Sequence, residues 1–384
     1  MIEQGRLILT MMPSLYCKLD CPHCYLSKEQ RRSKECLSLE QIKTTVEKIK
    51  DYYKDKNIQN AAIDIYWYGG EPTTMGVKMF SDMCDIINTT FKKHKIKHIL
   101  LSALVGVNLD EWAPILKKYC NSKIQTSYDA MMRGKRYDMS WQKQVVNALD
   151  RGLSVNTLSV FNKSIQFDGY QKTFVKLMGL GIRECGWLPF QKNIRNDDTG
   201  MYDEYSTSMN EFSDFMIGFS NLNNDTHTHT HTHTHTHTHT HTHTHTNDGC
   251  VFLIGNEIFI NSMNINGTSM SNTGAQTVFL MPNGDMVMPN YDEFNNIEFM
   301  QKFGNILKQS FEKILTSKSR RRWIRRQINR NNNKECMECD SWNCCLMEFW
   351  KNNNKDDDCY GAKKYVEWVK KHSTQEPTFI ENIS

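Results

Sequence analysis

Residues 16–26 read YCKLDCPHCYL and place Cys17, Cys21 and Cys24 within eight positions, directly after the apolar run RLILTMM. Three thiols so close together can hold a metal or exchange disulfides, or their proximity is accidental. The chain carries thirteen cysteines and no export signal: Glu3 stands where a signal peptide is basic, and no small-residue cleavage site follows the apolar run. Thiols of a cytoplasmic protein stay reduced, so clustered cysteines point to metal. A four-iron cluster needs thiolates that reach several corners of one small cube, and spacings of three and two residues in a loop allow it. Three thiolates leave one iron open to a further ligand, as catalytic metals require. Zinc is the rival, needing a fourth ligand; His23 lies inside the loop, but between two ligands it is awkward for a tetrahedron.

Other residues of chemical interest fall in two groups. WYGGEPTT, residues 67–74, ends a β-type run with two glycines and a glutamate, which lets the backbone turn sharply and approach a ligand. Cys250, Cys336, Cys339, Cys344, Cys345 and Cys359 crowd the C-terminal third. Cys36, Cys84, Cys120 and Cys185 stand singly and read as small buried apolar side chains. KSRRRWIRRQINR, with Trp323 among the cations, could contact RNA or an acidic peptide, or be a solvated helix end.

These residues need elements to hold them. From residue 6 to about 190, short β-type runs alternate with helical stretches: RLILTMM, then a helix over SLEQIKTTVEKIKDYYKDK with Ser38 at its cap, then AAIDIYWY, a helix from Val77 to Lys92, and HILLSALV. A helix around Glu111–Lys118, then KIQTSYD, LSVNTLSVF and IRECGWLPF follow. Six strands alternating with helices predict an α/β fold with parallel βα units wound in one sense, open or curled toward a barrel. In barrels the chemistry sits where strands end, and the cysteine loop follows the first strand. Residues 226–246 are a strict Thr-His alternation holding ten of the fourteen histidines. An A–C dinucleotide repeat translates as Thr-His, so the tract reads as a solvated insertion, able at most to hold adventitious metal. Beyond it, TVFLMPNGDMVMPN predicts a hairpin turning at Asn283-Gly284, followed by a helix from about Gln301 to Arg326.

The cysteine spacing after the first strand and Gly-Gly-Glu after the second resemble the radical SAM superfamily. The resemblance implies a partial (β/α)6 TIM-type barrel with a [4Fe–4S] cluster on Cys17, Cys21 and Cys24. S-adenosylmethionine would chelate the fourth iron, with Gly69, Gly70 and Glu71 at its methionyl amino group. Reductive cleavage would give a 5′-deoxyadenosyl radical for hydrogen abstraction. SYDAMMRGKRYD resembles the fourth-strand segment of the peptide-modifying branch, with Ala130 in place of a glycine. Ser127 and Arg136 are therefore candidate cofactor contacts, joined by Asn156 and Leu188. MPNGDMVMPN, FGNILKQSFEKIL and CMECDSWNCC resemble the branch's SPASM extension, a small cysteine-rich C-terminal domain carrying auxiliary clusters.

That resemblance implies a core over 1–223, a disordered repeat insertion over 224–249 and a SPASM-like domain over 250–384. Any leader-peptide recognition module would act in trans or be absent. Cys336, Cys339, Cys345 and Cys359 would hold one auxiliary [4Fe–4S] cluster. The site of a second lacks thiols, because Pro289 follows Gly284 by five residues and Phe349 follows Cys345 by four. The expected substrate is a peptide or protein side chain and the expected reductant a ferredoxin or flavodoxin. RNA or a small metabolite is the alternative substrate, and a zinc-stabilised binding module without catalysis is the alternative of another class. No apolar stretch is long enough to span a membrane, so a cytoplasmic protein is expected.

Overall fold

In the computed structural model, residues 2–19, 21, 23–192, 194–232, 252–266, 275–289, 300–327, 334–346 and 356–372 are described. Six parallel strands follow one another around a curved sheet: β1 Arg6–Met11, β2 Ala62–Trp67, β3 Lys95–Leu100, β4 Lys123–Thr126, β5 Ser154–Phe161 and β6 Glu184–Pro189. β3 and β4 meet only through the Leu101–Gln125 bridge, so the six strands form two sheets that continue each other. Helices α1 Leu39–Asp55, α2 Val77–Thr90, α3 Leu109–Tyr119, α4 Lys135–Asp150 and α5 Lys163–Gly179 fill the crossovers. The alternation predicts the parallel βα units and the resemblance implies the partial barrel; helix bounds fall within a few residues of those expected. α1 starts where the Ser38 hydroxyl accepts a hydrogen bond from the Gln41 amide and the Gln41 side-chain oxygen accepts one from the Ser38 amide, a capping box.

The outer face of the strands carries the core. Phe161 lies 4.8 Å and Trp187 4.9 Å, centre to centre, from Phe215 of α6, which spans Met209–Thr232. Alternation along a strand then turns Asn156, Leu158, Val160, Gly186 and Leu188 inward. α6 continues through the first seven residues of the Thr-His repeat; residues 233–251 lie outside the described residues.

The C-terminal part is built onto the barrel. A two-residue strand, β7 Leu253–Ile254, extends the sheet beyond β6 and leads into α7, Gly255–Asn266. β8 Thr277–Leu280 pairs in parallel with β1, and β9 Asp285–Pro289 returns antiparallel after the expected turn at Asn283-Gly284. The helix expected from Gln301 is corrected by the structure. Met300–Asn305 is strand β10, antiparallel to β9, with a bulge between Lys302 and Gly304. The hairpin edge requires pairing there, and helix begins only at Ser310, whose hydroxyl caps α8 Phe311–Leu315. α9 Lys318–Gln327 and α10 Lys363–His372 follow. Of the single cysteines, Cys84, Cys120 and Cys185 are buried as expected, whereas Cys36, bridged to Ser14, is exposed. Among the described residues no helix is long and apolar enough to cross a membrane.

Candidate active site and cysteine-rich extension

The loop bearing Cys17, Cys21 and Cys24 leaves the carboxyl end of β1 and is closed by its own backbone. The Cys17 amide donates to the Arg31 carbonyl at 2.9 Å, and the Cys24 amide to the Cys21 carbonyl at 3.2 Å. Ser27 and Gln30 form a capping box on the short helix Lys28–Arg32, and Arg31 donates back to the Leu19 carbonyl at 3.2 Å. Met12, Leu15 and Leu26 are buried together beneath the loop, with Tyr25 stacked on Tyr68. All three thiols are half-buried. Burial pushes the Cys21 thiol up to about 11, and the neighbouring Cys24 and Cys17 thiols add to the rise while Arg133 opposes it. Burial likewise raises Cys17, with Glu71 and Cys24 adding to the rise. Three neighbouring thiols, with Arg133 beside Cys21 and Arg31 near Cys17, are a fitting receptor for an anionic thiolate cluster, whose binding releases the protons.

Gly69 and Gly70 form the back of this loop. A Cβ on Gly69, whose φ is +126°, would stand 2.4 Å from the Ser14 carbonyl oxygen; on Gly70 it would stand 2.2 Å from that of Leu15 and 2.4 Å from that of Tyr16. The two backbones are in direct contact just before Cys17, tied by the Glu71 amide donating to Tyr16 O at 2.9 Å. Gly70→Ala must displace the cysteine loop. Its expected cost is about 3 kcal/mol, the upper end for overpacking, read as a lower denaturant midpoint together with loss of iron from the loop.

Glu71, expected at the methionyl amino group, is held by its neighbours. Its buried carboxylate accepts from the Thr73 amide (3.2 Å) and hydroxyl (2.7 Å), the Ser102 hydroxyl (2.9 Å) and the Ala103 amide (2.9 Å). It ties the exit of β2 to the exit of β3.

Sequence reading missed the charged group beside Cys21. Asp129 and Arg133, four residues apart after β4, form a buried ion pair. Arg133 donates to the Tyr137 hydroxyl at 2.7 Å, which donates to the Ala103 carbonyl at 3.2 Å. Burial works against the guanidinium, yet Asp129 and Tyr137 hold its pKa above the ordinary value. His23 lies 3.7 Å from Asp129, and burial lowers its pKa to about 4 despite that neighbour, so the imidazole is neutral. The Asp-x3-Arg-x3-Tyr spacing within the quoted segment was the available signal. Ala130 adopts φ +48°, the left-handed conformation that explains a glycine in the resembled motif. Arg133→Met strands the Asp129 carboxylate and is expected to cost about 3–5 kcal/mol, the usual penalty for breaking a buried pair. Adding Asp129→Leu should restore much of it, as chemical denaturation of the single and double variants will show.

The other expected cofactor contacts divide. Ser127, half-buried, follows the end of β4 and precedes Asp129 by two residues; Leu188 is exposed on the inward face of β6. Both lie toward the barrel mouth. Arg136 is exposed at the start of α4, three residues after the half-buried Arg133. The Asn156 amide, inward on β5, donates to Glu184 at 2.8 Å. Glu184 belongs with Lys97, Asp64 and Arg6 to a charged layer near the strand starts, away from the cysteine loop.

In the extension, Gly361 shows how the cysteines are arranged. A Cβ there would lie 3.3 Å from Cys345 Sγ and 3.4 Å from Cys359 Sγ. Burial raises the Cys359 thiol to about 11, with Asp358 and the nearby Cys339 thiol contributing. The preceding turn is fixed on α6: Asp357 accepts from the Met209 (3.0 Å) and Asn210 (2.7 Å) amides, and Asp358 from the Ser213 hydroxyl (2.6 Å). Cys336, half-buried, lies one turn before Cys339. Cys344 is buried in the main core. Replacing Cys345 by serine should therefore remove extension iron, whereas Cys344→Ser should retain it, by metal analysis. Among the described residues no three His, Cys, Asp or Glu side chains are arranged to hold a single metal ion. A cubane offers separate irons to separate thiolates and accepts the wider spacing. Pro289 is buried, its carbonyl accepting from the Trp323 indole at 3.1 Å. Cys250 and Phe349 lie outside the described residues.

Residues 272–340 match the model of SPASM, an iron-sulfur cluster-binding domain. No curated protein matches the chain. Among solved structures it is similar to anSMEcpe with bound AdoMet and Kp18Cys peptide, at TM-score 0.69 and 15% identity over 98% of both chains. It is also similar to SuiB of Streptococcus suis bound to S-adenosylmethionine, at TM-score 0.55 and 14% identity over 89% of this chain and 72% of the other. The fold is that of the radical SAM enzymes, with a SPASM domain at the C-terminus. In this radical SAM fold the strand ends, the cysteine loop and the Gly69-Gly70 turn share one mouth, and the SPASM hairpin extends the barrel sheet at β1.

Proposed function

We propose that the chain is a radical SAM enzyme that cleaves S-adenosylmethionine reductively and removes a hydrogen atom from a peptide or protein side chain, in a reducing, cytoplasmic setting. The observation that carries the reading is the convergence of the Cys17, Cys21 and Cys24 thiols at the barrel mouth, backed by Gly69 and Gly70 and faced by Arg133. A four-iron cluster on those thiolates with S-adenosylmethionine on the open iron supplies, when bound, the hydrogen-abstracting radical.

The protein's own part is binding, charge compensation and aim. Gly69 and Gly70 keep the loop pressed against the end of β2, fixing the three sulfurs relative to the mouth. Arg133, held by Asp129 and Tyr137, offsets the negative charge of the thiolates. Leu188, Leu158 and Val160 present an apolar inner wall on β5 and β6. A buried mouth excludes water from reactive species. Peptide substrates are favoured by the likeness to anSMEcpe, which is described with a bound peptide. RNA is disfavoured because Trp323, the aromatic group among the cations, is buried against Phe303 and unavailable for stacking.

The test is anaerobic reconstitution with iron and sulfide, reduction by dithionite and assay for 5′-deoxyadenosine. Its formation from S-adenosylmethionine supports the reading; fully iron-loaded protein that forms none above a no-enzyme control, with or without peptides, refutes it.

A further inference from the structure

The two cysteine sets are joined by a row of aromatic side chains. His23 sits between Cys21 and Cys24, and its ring meets that of Phe190 edge-on, 6.5 Å between centres. Phe190, immediately beyond β6, is buried and lies 5.9 Å from the ring of Tyr202. The phenol of Tyr202 is hydrogen-bonded to that of Tyr360. Tyr360 follows Cys359 directly in the chain. Each step is a contact between conjugated groups or a hydrogen bond, and every member is buried or half-buried. The segment after β6 brings two of the four rings from outside either cysteine set.

We propose that His23, Phe190, Tyr202 and Tyr360 form an electron path between the cysteine loop and the C-terminal cysteine set. This rests on the reading that both sets hold iron-sulfur clusters. One electron passes from the reduced cluster to the oxidised one; the donor rises and the acceptor falls by one unit of charge, and no bond or proton changes place. The rings stay neutral and closed-shell, shortening the through-space gaps that electron transfer must cross. The electron enters from an external one-electron protein donor of the ferredoxin or flavodoxin class. On this arrangement the extension recharges the loop's cluster or drains it after turnover.

The test follows electron exchange, separately from turnover. Full-length protein carrying both clusters, with excess S-adenosylmethionine to distinguish the loop's cluster, receives about one electron per chain from a photoreductant. Rapid-freeze electron paramagnetic resonance then follows redistribution between the two signals. Phe190→Leu combined with Tyr202→Leu is expected to slow redistribution at least tenfold, with iron content and final distribution unchanged. Should that variant fold poorly, Tyr202→Phe with Tyr360→Phe keeps both rings and removes the hydroxyl contact; slowing of several-fold is expected. An unchanged rate in either variant that retains both clusters overturns the path, as does wild-type protein with both clusters and no exchange. Protein holding no iron at Cys17, Cys21 and Cys24 overturns the proposed function and the path with it, and the iron count tells that failure from failure of the path alone.

Discussion

Alanine at Cys17, Cys21 and Cys24 together is expected to abolish 5′-deoxyadenosine formation, to the level of a no-enzyme control, while leaving the iron of the extension in place. The reason is geometric. The loop is closed by backbone bonds that do not involve the thiols, and its floor is the apolar group Met12, Leu15 and Leu26. Removing three sulfurs therefore takes away the receptor without removing the loop's anchors. The C-terminal thiols sit on a different support, the Asp357–Asp358 turn docked on α6. Deoxyadenosine assay and metal analysis on the same preparation check both halves; residual activity in the triple variant would mean that cleavage does not depend on these thiols.

The second large effect concerns iron stoichiometry. Two cubanes correspond to about eight irons per chain, and Cys336→Ala with Cys339→Ala should lower the count to about four. Cys339, Cys345 and Cys359 are near one another around Gly361, and Cys336 is one turn from Cys339, so four thiolates are available to close one cluster. The hairpin position that would serve another is Pro289, buried under Trp323 and bonded through its carbonyl to the indole. About twelve irons in the unmodified protein would require ligands beyond these. About four, unmoved by the double change, would mean that the C-terminal thiols hold no cluster. Parallel colorimetric iron and sulfide determination decides among the three.

The barrel was legible because short β-type runs alternate with helical stretches along the chain, and some crossovers have clear caps, Ser38 among them. The third hairpin strand was not legible: MQKFGN, β10, has no regular alternation, and only the need of β9 for a partner makes it a strand. Cys17, Cys21, Cys24 and the two glycines were readable from spacing because a tight loop packed on a glycine turn leaves a local signature. Contacts made across the barrel left no such signature. Glu71 turned toward Ser102 and Ala103, and Asn156 toward Glu184, through contacts between residues about thirty positions apart. Arg133 rather than Arg136 enters the site because a single 3-10 turn, Ala130–Arg133, determines which arginine faces inward.

The pairing of β8 with β1 bears on how the chain reaches this state during synthesis. β1 ends at Met11, yet the strand that covers its free edge begins at Thr277. At ordinary elongation rates the interval is roughly 15–50 s. For that time a nascent barrel presents Leu7, Leu9 and Met11 on a strand whose unpaired amides and carbonyls form a template for intermolecular pairing. Contacts of such long sequence separation also form slowly, since loop closure precedes any compensating contact. A ribosome stalled within the Thr-His repeat would release a barrel with its first strand still open, so the chain's greatest exposure to aggregation comes before its last third is made.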